Sequence, residues 1–107
     1  MKRGDLVTVS LPGDYGKPRP ALIIQANLFL DHPSVVVLPI TGEVRDAPLF
    51  RITVHPTDGN RLHKLSQVML DKPYTVTRAK VGEPFGCLDE RTLLEVSRAL
   101  AIFLGIA

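Results

Sequence analysis

The chain has 107 residues, 13 basic and 11 acidic, for a net charge of +2 with histidine neutral. That length suits one domain over 1–107 and buries roughly 60–70% of the unfolded chain's surface. So mild a charge balance specifies no nucleic-acid partner by itself, and any basic site must be local. The lone Cys87 excludes an intramolecular disulfide and suits a reducing compartment. No apolar leader follows Met1-Lys2-Arg3, and no run nears the ~20 apolar residues of a membrane span, so a cytoplasmic protein is expected.

In chain order, Leu6 to Leu11 alternates and reads as a first strand after the Gly4-Asp5 turn. Pro12 to Lys17 is loop chemistry, with a Pro and two Gly. The run Lys17-Pro18-Arg19-Pro20-Ala21-Leu22-Ile23-Ile24-Gln25 is the most distinctive stretch. Its two prolines fix φ and push Lys17 and Arg19 toward extended backbone. Arg19 is therefore clamped where a loop becomes a strand, fit either to hold a phosphate or to form a surface salt bridge. Ala21 to Ile24 lacks polar alternation, as a strand buried on both faces would.

An irregular link from Ala26 to Pro33 precedes a β-branched run from Ser34 to Ile40, where Pro39 argues for an edge or a bulge. Thr41-Gly42 opens a charged loop reaching Pro48. Phe50 to Val54 alternates as a half-exposed strand, with Phe50 expected in the core, and Asp58-Gly59 marks a tight turn. Ser66 to Leu70 and Tyr74 to Thr77 read as short strands split by Asp71-Lys72-Pro73. The one helix is capped by Asp89, carries Leu93, Val96, Leu100 and Phe103 at helical spacing, and stops at Gly105. That stripe reads as core or dimer surface. The whole pattern is a small, mainly β, barrel-like domain with a C-terminal helix.

The chemistry-bearing residues are few. His32, His55 and His63 lack metal-ligand spacing, no cysteine pair exists, and no nucleotide-cradling glycine loop or nucleophile elbow occurs. No metal or cofactor is implied. His32 and His55 each precede a loop proline and read as exposed and structural. Arg61-Leu62-His63-Lys64 could touch a phosphate backbone, but reads first as a solvated edge. Cys87, between Gly86 and Leu88, reads as a small core residue. Asp71 lies at a strand end where a carboxylate can be aimed, or where it simply initiates a turn.

Arg3-Gly4-Asp5-Leu6-Val7, Pro12-Gly13, the Lys17–Gln25 run and Val35–Thr41 together resemble the MazF/PemK toxins of bacterial toxin–antitoxin pairs. Ser66–Asp71, Leu88-Asp89-Glu90 and the terminal helix continue the resemblance across nearly the whole chain. It implies an SH3-like β-barrel of the MazF/CcdB type, acting as a homodimer. It also implies a metal-independent endoribonuclease that cuts single-stranded RNA within short sequences. The 2′-hydroxyl would attack the adjacent phosphorus, leaving a 2′,3′-cyclic phosphate and a 5′-hydroxyl. By motif, Arg19 and Thr41 are the catalytic pair, and Asp71 matches an acidic position that serves as base or RNA contact. Tyr15, Lys17, Gln25 and Lys72 are the further RNA contacts expected, and the loops Pro12–Pro18 and Thr41–Pro48 would choose the bases. An acidic, largely disordered antitoxin segment would neutralise the toxin. Met69 stands where some relatives carry an Arg, so an inactive binding relative is one alternative. A gyrase poison like CcdB is another, although that function usually needs a C-terminal Trp and this chain has none.

Overall fold

The computed structural model describes residues 1–10 and 17–107. Seven strands form one curled sheet: β1 (Asp5–Ser10), β2 (Pro18–Ile23), β3 (Ser34–Thr41), β4 (Arg51–Val54), β5 (Ser66–Met69), β6 (Tyr74–Thr77) and β7 (Gly86–Cys87). The order across the sheet is β4-β5-β3-β2-β1-β7, with β6 also paired to β3. The helix α1 spans Glu90–Leu104. The curl closes on itself where Cys87 N–H on one edge donates to Gly59 O in the connection leaving β4, at 3.0 Å. The result is a mainly β half-barrel with one C-terminal helix.

The absence of polar alternation in Ala21-Leu22-Ile23 has the consequence expected of it, since all three are fully buried. Leu22 joins Leu6, Leu38, Val68, Leu70, Val96 and Leu100 on the face that α1 covers. Ala21 and Ile23 join Val7, Val9, Leu30, Val35 and Val37 on the other face. Each such aliphatic side chain contributes about 1.5–3 kcal/mol by leaving water. Two apolar layers on one short strand make β2 the anchor of the fold.

The helix ends as its sequence demands. Asp89 Oδ2 accepts from Thr92 N–H at 3.1 Å, and Asp89 Oδ1 accepts from the Thr92 hydroxyl at 2.6 Å. Gly105 takes the left-handed conformation (φ 76°). Gly105 N–H then reaches Ile102 O and Ile106 N–H reaches Ala101 O, which satisfies the last carbonyls. Val96 and Leu100 supply the core, whereas Phe103 is 47% exposed and Ile102 71% exposed. Only the first part of the apolar stripe is therefore covered by this chain.

Three readings change. Pro39 is in neither an edge strand nor a bulge of its own, because β3 is paired on both sides. Its partner strand is the one interrupted: β5 faces Ile40 and Thr41, β6 faces Ser34 to Val37, and the 70–73 turn loops out opposite Leu38 and Pro39. The missing amide proton falls where no acceptor strand runs. Cys87 is exposed rather than core, because β7 is a two-residue edge strand whose second side chain faces outward. Phe50 is likewise 38% exposed, lying just before β4 begins.

A fork between two strands and the groove it opens

In the ladder between β2 and β3, Ile24 N–H donates to Val36 O at 3.2 Å. Antiparallel alternation then points the amide positions of residues 22, 20 and 18 toward β3. Two of those are prolines, with no proton to give. The ladder accordingly stops at Ala21 opposite Pro39, while β2 stays paired to β1 as far as Pro18. Beyond Ala21 the pairing of β2 with β3 ends, and the same register sets Arg19 opposite Thr41. The prolines that stiffen Arg19 are thus also what open the fork.

A groove of about 1020 Å³ lies at this fork, and Arg19 and Thr41 both line it. Its floor is Thr8, Pro20 and Ile40, the row that continues the buried Leu6, Leu22 and Leu38. Arg61, His63 and Lys64 supply one wall, and no carboxylate is among the described lining residues. Thr41 Oγ1 accepts from Glu43 N–H at 3.0 Å, which uses a lone pair and leaves the hydroxyl proton to be donated.

The basic wall is held by Asn60, which is only 3% exposed. Its Oδ1 accepts from Thr57 N–H (2.9 Å) and Leu62 N–H (3.0 Å), and its Nδ2 donates to His55 O (2.9 Å). These bonds stabilise Arg61 at φ 56°, a left-handed backbone that costs a non-glycine residue free energy. A Cβ built on Gly86 would collide with Asn60 O, so only glycine lets β7 pass beneath the loop. On the opposite side, a Cβ on Gly42 would collide with Lys64 Cε and come 2.7 Å from Nζ. The lysine side chain is therefore laid across the residue that follows Thr41.

The loop after Thr41 is pinned by Gln67, 4% exposed and paired in register with Thr41. Gln67 Oε1 accepts from Arg45 N–H (3.0 Å) and Arg51 Nη1 (3.1 Å); Nε2 donates to Arg45 O (2.9 Å) and Thr53 Oγ1 (3.1 Å). Arg51 Nη1 also donates to Glu43 O at 2.8 Å. One buried amide thus fixes the loop on both sides of Arg45.

Of the residues singled out from sequence, Arg19 and Thr41 come together. Lys17 is exposed, two residues before Arg19. Tyr15 lies outside the described residues. Gln25 is six residues beyond Arg19, about 20 Å at ~3.3 Å per residue. Its amide donates to Phe29 O and Ser34 O and accepts from Val36 N–H, tying the following link to β3. Asp71 and Lys72 lie on the turn between β5 and β6, and neither lines the groove. Asp71 Oδ1 is buried without a hydrogen-bond partner among the described residues. Arg61, His63 and Lys64 are the groove residues that sequence reading set aside as a solvated edge. Their signal was a cationic run with no acidic neighbour between Asn60 and Ser66.

A profile of PemK-like, MazF-like toxins of type II toxin–antitoxin systems matches residues 2–104. The chain belongs to this toxin family. It is 45% identical over 108 residues to a probable endoribonuclease MazF of Mycolicibacterium smegmatis, covering 100% of this chain and 99% of that protein. It is 28% identical over 111 residues to the endoribonuclease MazF of Staphylococcus saprophyticus, covering 99% and 92%. The solved structure of an endoribonuclease in complex with its cognate antitoxin, from a mycobacterial species, superposes with a TM-score of 0.83 at 25% identity over 100% of this chain and 97% of that one. A MazE–MazF complex from Deinococcus radiodurans shares the fold, with a TM-score of 0.78 at 21% identity over 100% and 98%. The MazF-like sheet is what brings the Arg-Pro strand and the β3 terminus to one fork.

Proposed function

We propose that this chain is a metal-independent endoribonuclease toxin that cuts single-stranded RNA at short sequences. The observation that carries the reading is the fork: the register sets Arg19 opposite Thr41 beyond the last pair of β2 with β3, in a basic groove where no described residue supplies a carboxylate. In the step proposed, the 2′-oxygen forms a bond to phosphorus as the bond to the 5′-oxygen breaks. One proton leaves the 2′-hydroxyl and one reaches the departing 5′-oxygen, giving a 2′,3′-cyclic phosphate and a 5′-hydroxyl. Negative charge gathers on the non-bridging oxygens. The Arg19 guanidinium, a planar fork of donors, and the Thr41 hydroxyl are suited to receive it, and a donor fixed in place needs no reorganisation during the reaction. Asp71 is assigned to RNA recognition rather than to proton transfer, since it does not line the groove that holds Arg19 and Thr41. The chain works as a homodimer whose interface takes up apolar surface such as Ile102, Phe103 and Leu104, each 47% exposed or more. An acidic antitoxin segment is the natural inhibitor of a groove lined by cations.

The test is to incubate the purified protein with long single-stranded RNA in EDTA and map the cut ends. Cyclic-phosphate and 5′-hydroxyl ends within a short recurrent sequence are expected. Arg19→Lys keeps the charge but loses the planar fork, and should slow cutting by about 10²-fold or more with the fold intact. Absence of cutting by the unmodified protein, or cutting untouched by the substitution, would sink this reading.

A further inference from the structure

Lys64 is separated from Arg19 by most of the sheet's sequence, yet its side chain crosses the main chain at Gly42, next to Thr41. Its backbone is held as well: the buried Ser66 hydroxyl donates to Lys64 O at 2.9 Å. Gly42 has no need of a left-handed conformation, because the only described glycines with positive φ are Gly4 and Gly105. Its lack of a Cβ leaves room for the end of the exposed Lys64 side chain to lie against it, beside Thr41. Arg61 and Lys64 line a groove in which no described residue supplies a carboxylate. Like charges gathered this way favour a polyanion that neutralises them together.

Resting on the ribonuclease reading above, we infer that Lys64, admitted beside Thr41 by Gly42, is a phosphate-binding residue for the nucleotide next to the cleavage position. It positions the strand, while Arg19 and Thr41 hold the reacting phosphate. A lysine is a point charge suited to such a backbone contact, and the contact carries no base information. One released counterion follows, so binding to a single strand should include a salt slope of about 0.7 from this residue alone.

The experiment measures affinity for a single-stranded DNA with the sequence of the cleaved RNA, which lacks the attacking hydroxyl, across a salt series. Lys64→Met should lower the slope by about 0.7 and weaken binding roughly fourfold at ~0.15 M salt, the factor one counterion supplies there. On RNA it should raise KM by a similar factor with little change in kcat. Arg98→Gln, on the exposed face of α1, controls for the loss of one distant charge and should leave the slope alone. Unchanged affinity and slope in Lys64→Met, in a protein that still cuts RNA, would overturn the inference and leave the ribonuclease reading standing. No cutting by the unmodified protein, with the Lys64-dependent slope present, would fail the ribonuclease reading and keep the phosphate contact.

Discussion

Replacing Gln67 by Leu tests whether one buried amide holds the loop that follows Thr41. The side chain makes four hydrogen bonds, two of them to the main chain of Arg45. Each is worth about 1 kcal/mol net, and a buried group left without its partner costs more. The Arg45 main chain lies in an exposed loop and can recover water, and Arg51 keeps its bond to Glu43 O. Taking about half of each bond as lost gives a destabilisation of about 2 kcal/mol. In a domain of this size that lowers Tm by ~8 °C. Gln67 is 4% exposed, and the leucine fills nearly the same volume without the bonds to Arg45, Arg51 and Thr53. The residues released are 42–50, so cut-site preference on RNA should broaden more than the rate falls. Thermal unfolding and end-mapping on one long RNA read both effects. A Tm within ~2 °C of the parent with an unchanged cut-site map would refute the pinning role.

Thr41→Val should slow cutting about tenfold or more while Thr41→Ser retains most activity, since only the serine keeps a hydroxyl to donate; single-turnover rates on saturating RNA decide it. Asp71→Asn should shift RNA affinity or sequence preference and leave the saturating rate and its pH profile intact. A rate lower by orders of magnitude at unchanged affinity would make Asp71 a proton-transfer residue instead. Hydrogen bonds from the Thr92 hydroxyl and then the Thr92 amide hold the Asp89 carboxyl below its ordinary value of 3.8. A lowered folded-state pKa means that this stabilisation is complete above the unfolded value and disappears as pH falls through the folded one. Asp89→Ala should therefore cost about 0.5–1 kcal/mol at neutral pH, the lower part of the capping range for so exposed a site. Tm should fall by ~2–4 °C, and the gap between the two proteins should close in acid below the carboxylate range. Antitoxin peptide and RNA should each weaken the other's binding, more so at low salt, and simultaneous binding without mutual loss would remove the shared groove.

Local chemistry written into the sequence determined the helix, its two caps and the doubly buried strand. A carboxylate before a helical stripe, a glycine after it and an unbroken aliphatic run each act through neighbours a few residues away. The resemblance carried by the Arg-Pro strand and the β3 terminus named Arg19 and Thr41. The tertiary structure decided what those two face. Pro18 and Pro20 mark stiffness in the sequence, but only pairing with β3 turns their missing protons into a fork. Pro39 suggested an edge, and lies instead in a strand paired on both sides, because the interruption belongs to the partner at the 70–73 turn. Cys87 followed the ordinary habit of cysteine in the sequence, and an edge strand of two residues set it outside. Arg61, His63 and Lys64 look like a solvated edge until the Asn60 loop carries them across β7 and Gly42 receives the lysine. Register, closure of the curl and a missing Cβ are relations between distant residues, and distance along a chain does not encode them.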